Sequence, residues 1–194
     1  AQTILQRDKD AVIGTIASDH VVQNTDVFVN TVKAAFEATK KYPDHLAAVG
    51  INPRKADTWR GYIKMGDTKD EFLGEKVFTV DEFIEKPDKK TADKYLQSWQ
   101  YLWNGAYYFF NANTMNGWAK KYVPKTQKSL EKVVKILSEG GNGTVQAEAK
   151  KEFSTVKDEQ FENAIVEKKD FKKVLVIPAE LGWSDIGNWG TLLD

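Results

Sequence analysis

A short, mostly apolar run over residues 11–17 stops at Ser18-Asp19-His20, and a second over residues 46–51 stops at Asn52-Pro53. Runs of this length bounded by turn residues predict buried strands. Between them Phe28, Val32, Ala35 and Phe36 recur at helical spacing up to Lys41, with Asn24 or Thr25 placed to cap. Strand, helix and strand in this order predict a βαβ unit with a parallel pairing. Residues 52–60 read as a loop, residues 61–65 as a short strand and residues 67–74 as a polar turn. Apolar and polar positions then alternate up to Pro87, which predicts a long strand. Asp88 or Thr91 caps a helix reaching about Trp99, and residues 102–110 form a strand aromatic on both faces. Helical patterns follow at 114–122, 129–138, 144–153 and 161–168, broken by the glycine cluster Gly140 to Gly143. The last strand, 173–177, ends at Pro178. A Gly/Trp-rich loop over residues 182–189 leads into a final short helix. This order predicts an α/β fold, a mostly parallel mixed sheet with an antiparallel excursion. It forms one domain over residues 1–194, with a helical insertion at about 113–168.

Composition narrows the function more by exclusion than by assignment. The 194 residues carry 28 Lys+Arg and 28 Asp+Glu, so no net field draws in nucleic acid or an anionic membrane. No apolar run approaches a membrane span, and the polar start is no signal peptide. With no cysteine, disulfides, thiolate nucleophiles and Cys-ligated zinc are excluded, which fits a cytoplasmic protein. The two histidines, His20 and His45, are not at metal-pair spacing. Walker, Rossmann and nucleophile-elbow motifs do not occur.

Ligands of open α/β sheets bind beyond the carboxyl ends of strands, and four polar clusters fall at such ends. Asp19 is either a strand-end turn residue or a hard oxygen ligand for Mg2+; Asp185 is either an Asx-turn residue or a second such ligand. Glu85-Lys86-Pro87 is either a solvated pair or a sugar-hydroxyl acceptor beside a phosphate-neutralising cation. The aromatic strand is mostly core, but the Asn104 amide beside Gly105 can serve a hydroxylated ligand. Gly61 stands where backbone could approach a ligand closely.

In this order the clusters resemble the bacterial mannose-1-phosphate guanylyltransferases. The resemblance rests on Ala17-Ser18-Asp19-His20, Gly50-Ile51-Asn52-Pro53, Gly61-Tyr62-Ile63 and Phe83-Ile84-Glu85-Lys86-Pro87. Leu102-Trp103-Asn104, Glu167-Lys168 and Gly182-Trp183-Ser184-Asp185-Ile186-Gly187-Asn188-Trp189 complete it. It implies a Rossmann-like nucleotidyltransferase fold of glycosyltransferase-A type. The implied reaction is attack of mannose 1-phosphate on the α-phosphate of GTP, giving GDP-mannose and pyrophosphate. It also implies that Asp19 and Asp185 hold Mg2+, that Lys86 contacts the sugar phosphate, and that Gly61, Glu85, Asn104 and Lys168 bind substrate. The catalytic set it implies is Asp19, Lys86 and Asp185.

Two departures qualify this expectation. Trp59 and Arg60 stand where the family has glycine and tyrosine, which opens the sugar and base to alternatives. The family's opening Gly-x-Gly-x-Arg phosphate loop and the first sheet strands have no counterpart, so the chain is expected to be inactive alone. It is then a fragment that pairs with a missing N-terminal segment or a second copy. The alternatives are a non-catalytic module binding sugar phosphates or nucleotide sugars, and a nucleotidyltransferase for another sugar or base.

Overall fold

The structure, a computed structural model, describes residues 1–140, 143–168 and 171–186. The expected final helix, residues 187–189 of the Gly/Trp-rich loop and the centre of the expected glycine loop lie outside the described residues. Two compact units emerge, one from residues 1–13 and 111–169, the other from residues 14–110 and 170–194.

The second unit carries the mixed sheet. Its strands run in the order β1 (Val12–Thr15), β6 (Tyr101–Asn111), β3 (Leu46–Ile51), β7 (Val174–Ala179), β5 (Glu75–Glu85), β4 (Gly61–Phe72). Strand β1 lies at the sheet edge. A small antiparallel pair, β2 (Val21–Val22) and β8 (Trp183–Ser184), forms a separate two-stranded sheet. The mixed α/β sheet agrees with expectation, but its balance of directions differs. Among the described pairings β3–β7 is parallel, whereas β3–β6, β4–β5, β4–β6 and β5–β7 are antiparallel. The parallel βαβ neighbour expected for β1 is likewise displaced, because β6 inserts between β1 and β3.

All six residues of β3 are buried, which is why its sequence is apolar without alternation. Helix α2 (Thr25–Lys41) buries Ala34, Ala35 and Ala38. Its buried Thr31 and Thr39 hydroxyls donate back to the Val27 and Ala35 carbonyls at 2.8 Å, so no donor is stranded. Helix α3 (Lys89–Ser98) starts where expected, with the Asp88 carboxylate accepting from the Thr91 N–H at 2.7 Å.

The expected turn at 67–74 is mostly strand. β4 continues to Phe72, and only Leu73 (φ 53°) and Gly74 (φ 83°) turn the chain. Two successive positive φ values make the tight hairpin connection favoured by strand twist. The polar sequence misleads because this arm is exposed. Its backbone pairs with β5, with register shifts between Met65 and Asp70, and Asp70 is pinned by the Lys41 ammonium (2.6 Å) and the Tyr42 hydroxyl (2.8 Å). The Lys41 hydrogen bond leads the effects that hold the Asp70 carboxyl at about 2.

The first unit is helical: α1 (Gln2–Leu5), α4 (Ala112–Tyr122), α5 (Pro124–Ser138), α6 (Gly143–Phe153) and a π turn at Glu162–Val166. Asn111 caps α4 by accepting from the Asn113 and Thr114 N–H groups. Helix α5 begins five residues before the expected Ser129, because Pro124 at its first position is pre-organised for helix and loses no needed donor. Among the described residues no helix is long and apolar enough to cross a membrane.

Candidate active site

Register brings three of the expected substrate-binding residues to one place. Gly61 opens β4 opposite Glu85 at the end of β5, and Tyr62 pairs with Trp103 of β6, which sets Asn104 beside Gly61. A Cβ at Gly61 would lie 2.5 Å from Glu85 Oε2 and 3.3 Å from Asn104 Cβ. Lys86 follows with φ 49°, a left-handed conformation uncommon outside glycine, and its N–H donates to the Arg60 carbonyl at 3.2 Å. Its half-exposed ammonium lies 3.5 Å from Glu85 Oε1. A left-handed residue held at a strand end is the kind of local strain that gathers at functional sites.

Asn104 does more structural work than expected. Its Nδ2 donates to the Tyr108 hydroxyl at 2.6 Å, and its Oδ1 accepts from the Ala106 N–H at 3.1 Å. These bonds brace an irregularity in β6, where the register against β3 shifts between Ala48 and Gly50. One amide proton and further carbonyl lone-pair capacity remain for a ligand. Lys168 belongs to the helical unit, where its ammonium pairs with Glu159 at 3.6 Å.

The residue that sequence reasoning missed as part of the site is Arg60. It is 9% exposed, while its neighbour Trp59 is 80% exposed. The Arg60 guanidinium lies 4.9 Å from the Trp103 ring centre and 4.5 Å from that of Trp183. Its two terminal nitrogens donate to the two Asp185 oxygens, each at 2.9 Å, and Nε donates to Asp57 at 3.1 Å. This is the bidentate fork geometry for which guanidinium is suited and ammonium is not. The one available signal was the Trp59-Arg60 departure.

This arrangement does not fit the two-aspartate magnesium site. Both Asp185 oxygens already accept from a buried cation, and Asp19 is exposed. Among the described residues no group of three or more His, Asp or Glu side chains is gathered to hold a metal. Asp19 and Asp185 do share a neighbour, since both carboxylates act electrostatically on His20.

His20 sits against Tyr107 and Trp183. Its Nδ1 is 3.0 Å from the Tyr107 hydroxyl and accepts from the Trp183 indole N–H at 3.1 Å. An accepting Nδ1 puts the proton of the neutral ring on Nε2. Burial pushes the His20 pKa down, Asp19 and Asp185 oppose the shift, and Arg60 adds to it. The unfolded chain therefore takes a proton near pH ~6.5 that the folded chain resists. Stability is complete above that value and falls as the pH drops below it, until the folded ring protonates. Urea unfolding should show the midpoint falling between pH 7 and pH 5, with a smaller fall in His20→Gln. Equal falls would remove His20 as the cause.

A nucleotidyl transferase family model matches residues 1–194. The mannose-1-phosphate guanylyltransferase of Salmonella typhimurium is 32% identical over 95% of this chain and 36% of its own length. That of Escherichia coli K12 is 31% identical over 95% and 37%. The xanthan biosynthesis protein XanB of Xanthomonas campestris is 30% identical over 95% and 37%. The chain thus spans little more than a third of the curated relatives it matches. Among solved structures, mannose-1-phosphate geranyltransferase from Thermus thermophilus superposes with TM-score 0.78 at 21% identity, over 95% of this chain and 49% of that one. Mannose-6-phosphate isomerase from Helicobacter pylori does so with TM-score 0.73 at 21% identity, over 94% and 67%. These two likenesses concern the fold. Matched by the family model over its whole length, the chain belongs to the nucleotidyl transferase family.

Proposed function

We propose that the protein carrying this chain transfers a nucleotidyl group from GTP to mannose 1-phosphate, giving GDP-mannose and pyrophosphate in the cytoplasm. The chain supplies the sugar-phosphate side of the site. The observation carrying this reading is the convergence of Gly61, Glu85, Lys86 and Asn104 at adjoining strand ends in a nucleotidyl transferase family member. Its named relatives act on the same sugar phosphate.

In the reaction a phosphate oxygen of mannose 1-phosphate attacks the α-phosphorus of GTP, and the bond to pyrophosphate breaks. The protein's contribution to such a transfer is positional and electrostatic. Lys86 offsets charge on the sugar phosphate. Glu85 accepts hydrogen bonds from sugar hydroxyls, the Gly61 backbone admits the ring, and Asn104 orients it. The sequence resemblance implies a magnesium ion held by Asp19 and Asp185. No step is routed through one here, because Asp185 is committed to Arg60.

The test is product formation by the whole protein from labelled GTP and mannose 1-phosphate, against a panel of other nucleotides and sugar phosphates. Lys86→Ala should raise KM for the sugar phosphate roughly 10- to 100-fold, the value of one charged hydrogen bond, and leave KM for GTP nearly unchanged. An unaltered sugar-phosphate KM would remove Lys86 from the site. One observation favours a second reading, a non-catalytic sugar-phosphate module. The Arg60 guanidinium occupies a carboxylate on which a metal-assisted site would depend. A whole protein that binds sugar phosphate without turnover under any metal would establish it.

A further inference from the structure

A cavity of about 200 Å3 opens beside Arg60, bordered by Arg54, Lys55, Gln23, Ser184 and Trp103 among others. It is smaller than the usual 300–1,000 Å3 of pockets that enclose a drug-sized ligand. Its size suits a phosphoryl group with part of an attached ring, not a nucleotide sugar. Arg54 and Lys55 border it with their positive charges. Trp103, in its wall, is 4% exposed and carries a buried indole N–H with no hydrogen-bond partner among the described residues. A buried donor left in that state calls for an explanation, and Trp103 is among the residues that border this cavity.

Arg60 distributes its charge in a particular way. Three of its five N–H donors go to Asp57 and Asp185. One positive charge thus meets two negative ones, so the cluster as a whole stays anionic and adds no attraction for an anion. Attraction at the rim comes from Arg54 and Lys55. The roles are divided: the buried cation offsets part of the carboxylate charge that would repel a phosphate, and the rim cations draw the phosphate in.

We propose that the Arg60 guanidinium takes the place at Asp185 expected for a divalent cation, and that the adjoining cavity with Arg54 and Lys55 is a metal-independent site for the phosphate of a sugar phosphate. The choice of a sugar phosphate rests on the function proposed above; the metal independence rests on Arg60 alone. The rim cations are reached by solvent, so binding weakens as ionic strength rises.

Isothermal titration of the whole protein tests this, with mannose 1-phosphate, inorganic phosphate and uncharged mannose as probes, each in EDTA and in excess magnesium chloride. For mannose 1-phosphate and for inorganic phosphate, the Kd in one buffer should lie within about twofold of that in the other, and mannose alone should not bind. Arg54→Ala/Lys55→Ala should keep the far-UV circular dichroism of the parent and weaken both phosphates at least roughly tenfold, as expected for loss of charged hydrogen bonds. Binding that requires magnesium, binding untouched by the double substitution, or no heat from either phosphate overturns the proposal. If mannose 1-phosphate binds no tighter than inorganic phosphate, the anion site stands and the sugar reading falls. If binding is lost in Lys86→Ala but not in Arg54→Ala/Lys55→Ala, the sugar reading stands and this site falls.

Discussion

Arg60→Ala should lower the stability of the sheet unit by roughly 3–5 kcal/mol, the cost of removing one partner from a buried ion pair. The side chain is 8% exposed, and its partners Asp57 and Asp185 are 12% and 33% exposed. Without the guanidinium the Asp57 carboxylate keeps its burial and loses its counter-ion. Asp185, wetter, loses less, which favours the lower half of the range. For a chain of this size each kcal/mol moves the thermal midpoint by about 2–4 °C, so a fall on the order of 10 °C is expected. Arg60→Met separates charge from packing. It retains an apolar stem between Trp103 and Trp183, and should be nearly as damaging as alanine if the counter-ion is what matters. Replacing the whole cluster, as in Arg60→Met/Asp57→Asn/Asp185→Asn, should recover much of the loss, because a buried ion group exchanged entire is often near neutral. Midpoints within about 1 °C of the parent for both single variants would show that the ion cluster holds nothing together.

The same residue marks the limit of what the chain discloses before it folds. Residues 46–51 were legible because every position of β3 is buried, so the pattern is uniform. Helix α2 was legible at both ends, from Asn24 and Thr25 to Lys41, because one face meets the sheet and the other meets water. The Asp88 cap was legible because the bond it makes is local. What escaped was non-local. Strand order depends on which edges meet, and nothing in residues 101–111 announces that β6 will insert between β1 and β3. Strand residues 67–72 escaped because an exposed hairpin arm has no apolar face to show. In the site, Glu85 and Asn104 were chosen as strand-end residues and Gly61 as a point of close backbone approach, and pairing then put them side by side. Arg60 directly precedes β4, yet its environment is set by Asp185, 125 residues away. A charged residue beside a glycine reads as solvated until a distant carboxylate and two indoles enclose it.

Gly61→Ala, made in the whole protein, should raise KM for the sugar phosphate by about 10- to 100-fold, roughly 1.4–2.7 kcal/mol of lost binding. The new methyl would lie 2.5 Å from Glu85 Oε2, closer than real side-chain carbons come to an oxygen. Something has to move, and the backbone is held: β4 pairs with β5 at Gly61↔Glu85 and with β6 at Tyr62↔Trp103. The Glu85 carboxylate is the freer element, so it swings away from the place where a sugar hydroxyl would be read. Asn104 Cβ, 3.3 Å from the added carbon, limits relief on the other side. Folding should survive, because the strained contact falls on the end of a flexible side chain and Gly61 has no positive φ to lose. The result expected is therefore a KM effect with a near-parental thermal midpoint. The opposite of Arg60→Ala is the signature: one substitution unsettles the fold through a buried charge, and the other leaves it intact and closes the binding surface. Glu85→Asp, shortening the carboxylate by one methylene, should return part of the lost affinity when combined with Gly61→Ala, since the shorter side chain makes room for the methyl. A Gly61→Ala enzyme with parental KM would mean that the sugar does not approach the chain at the opening of β4.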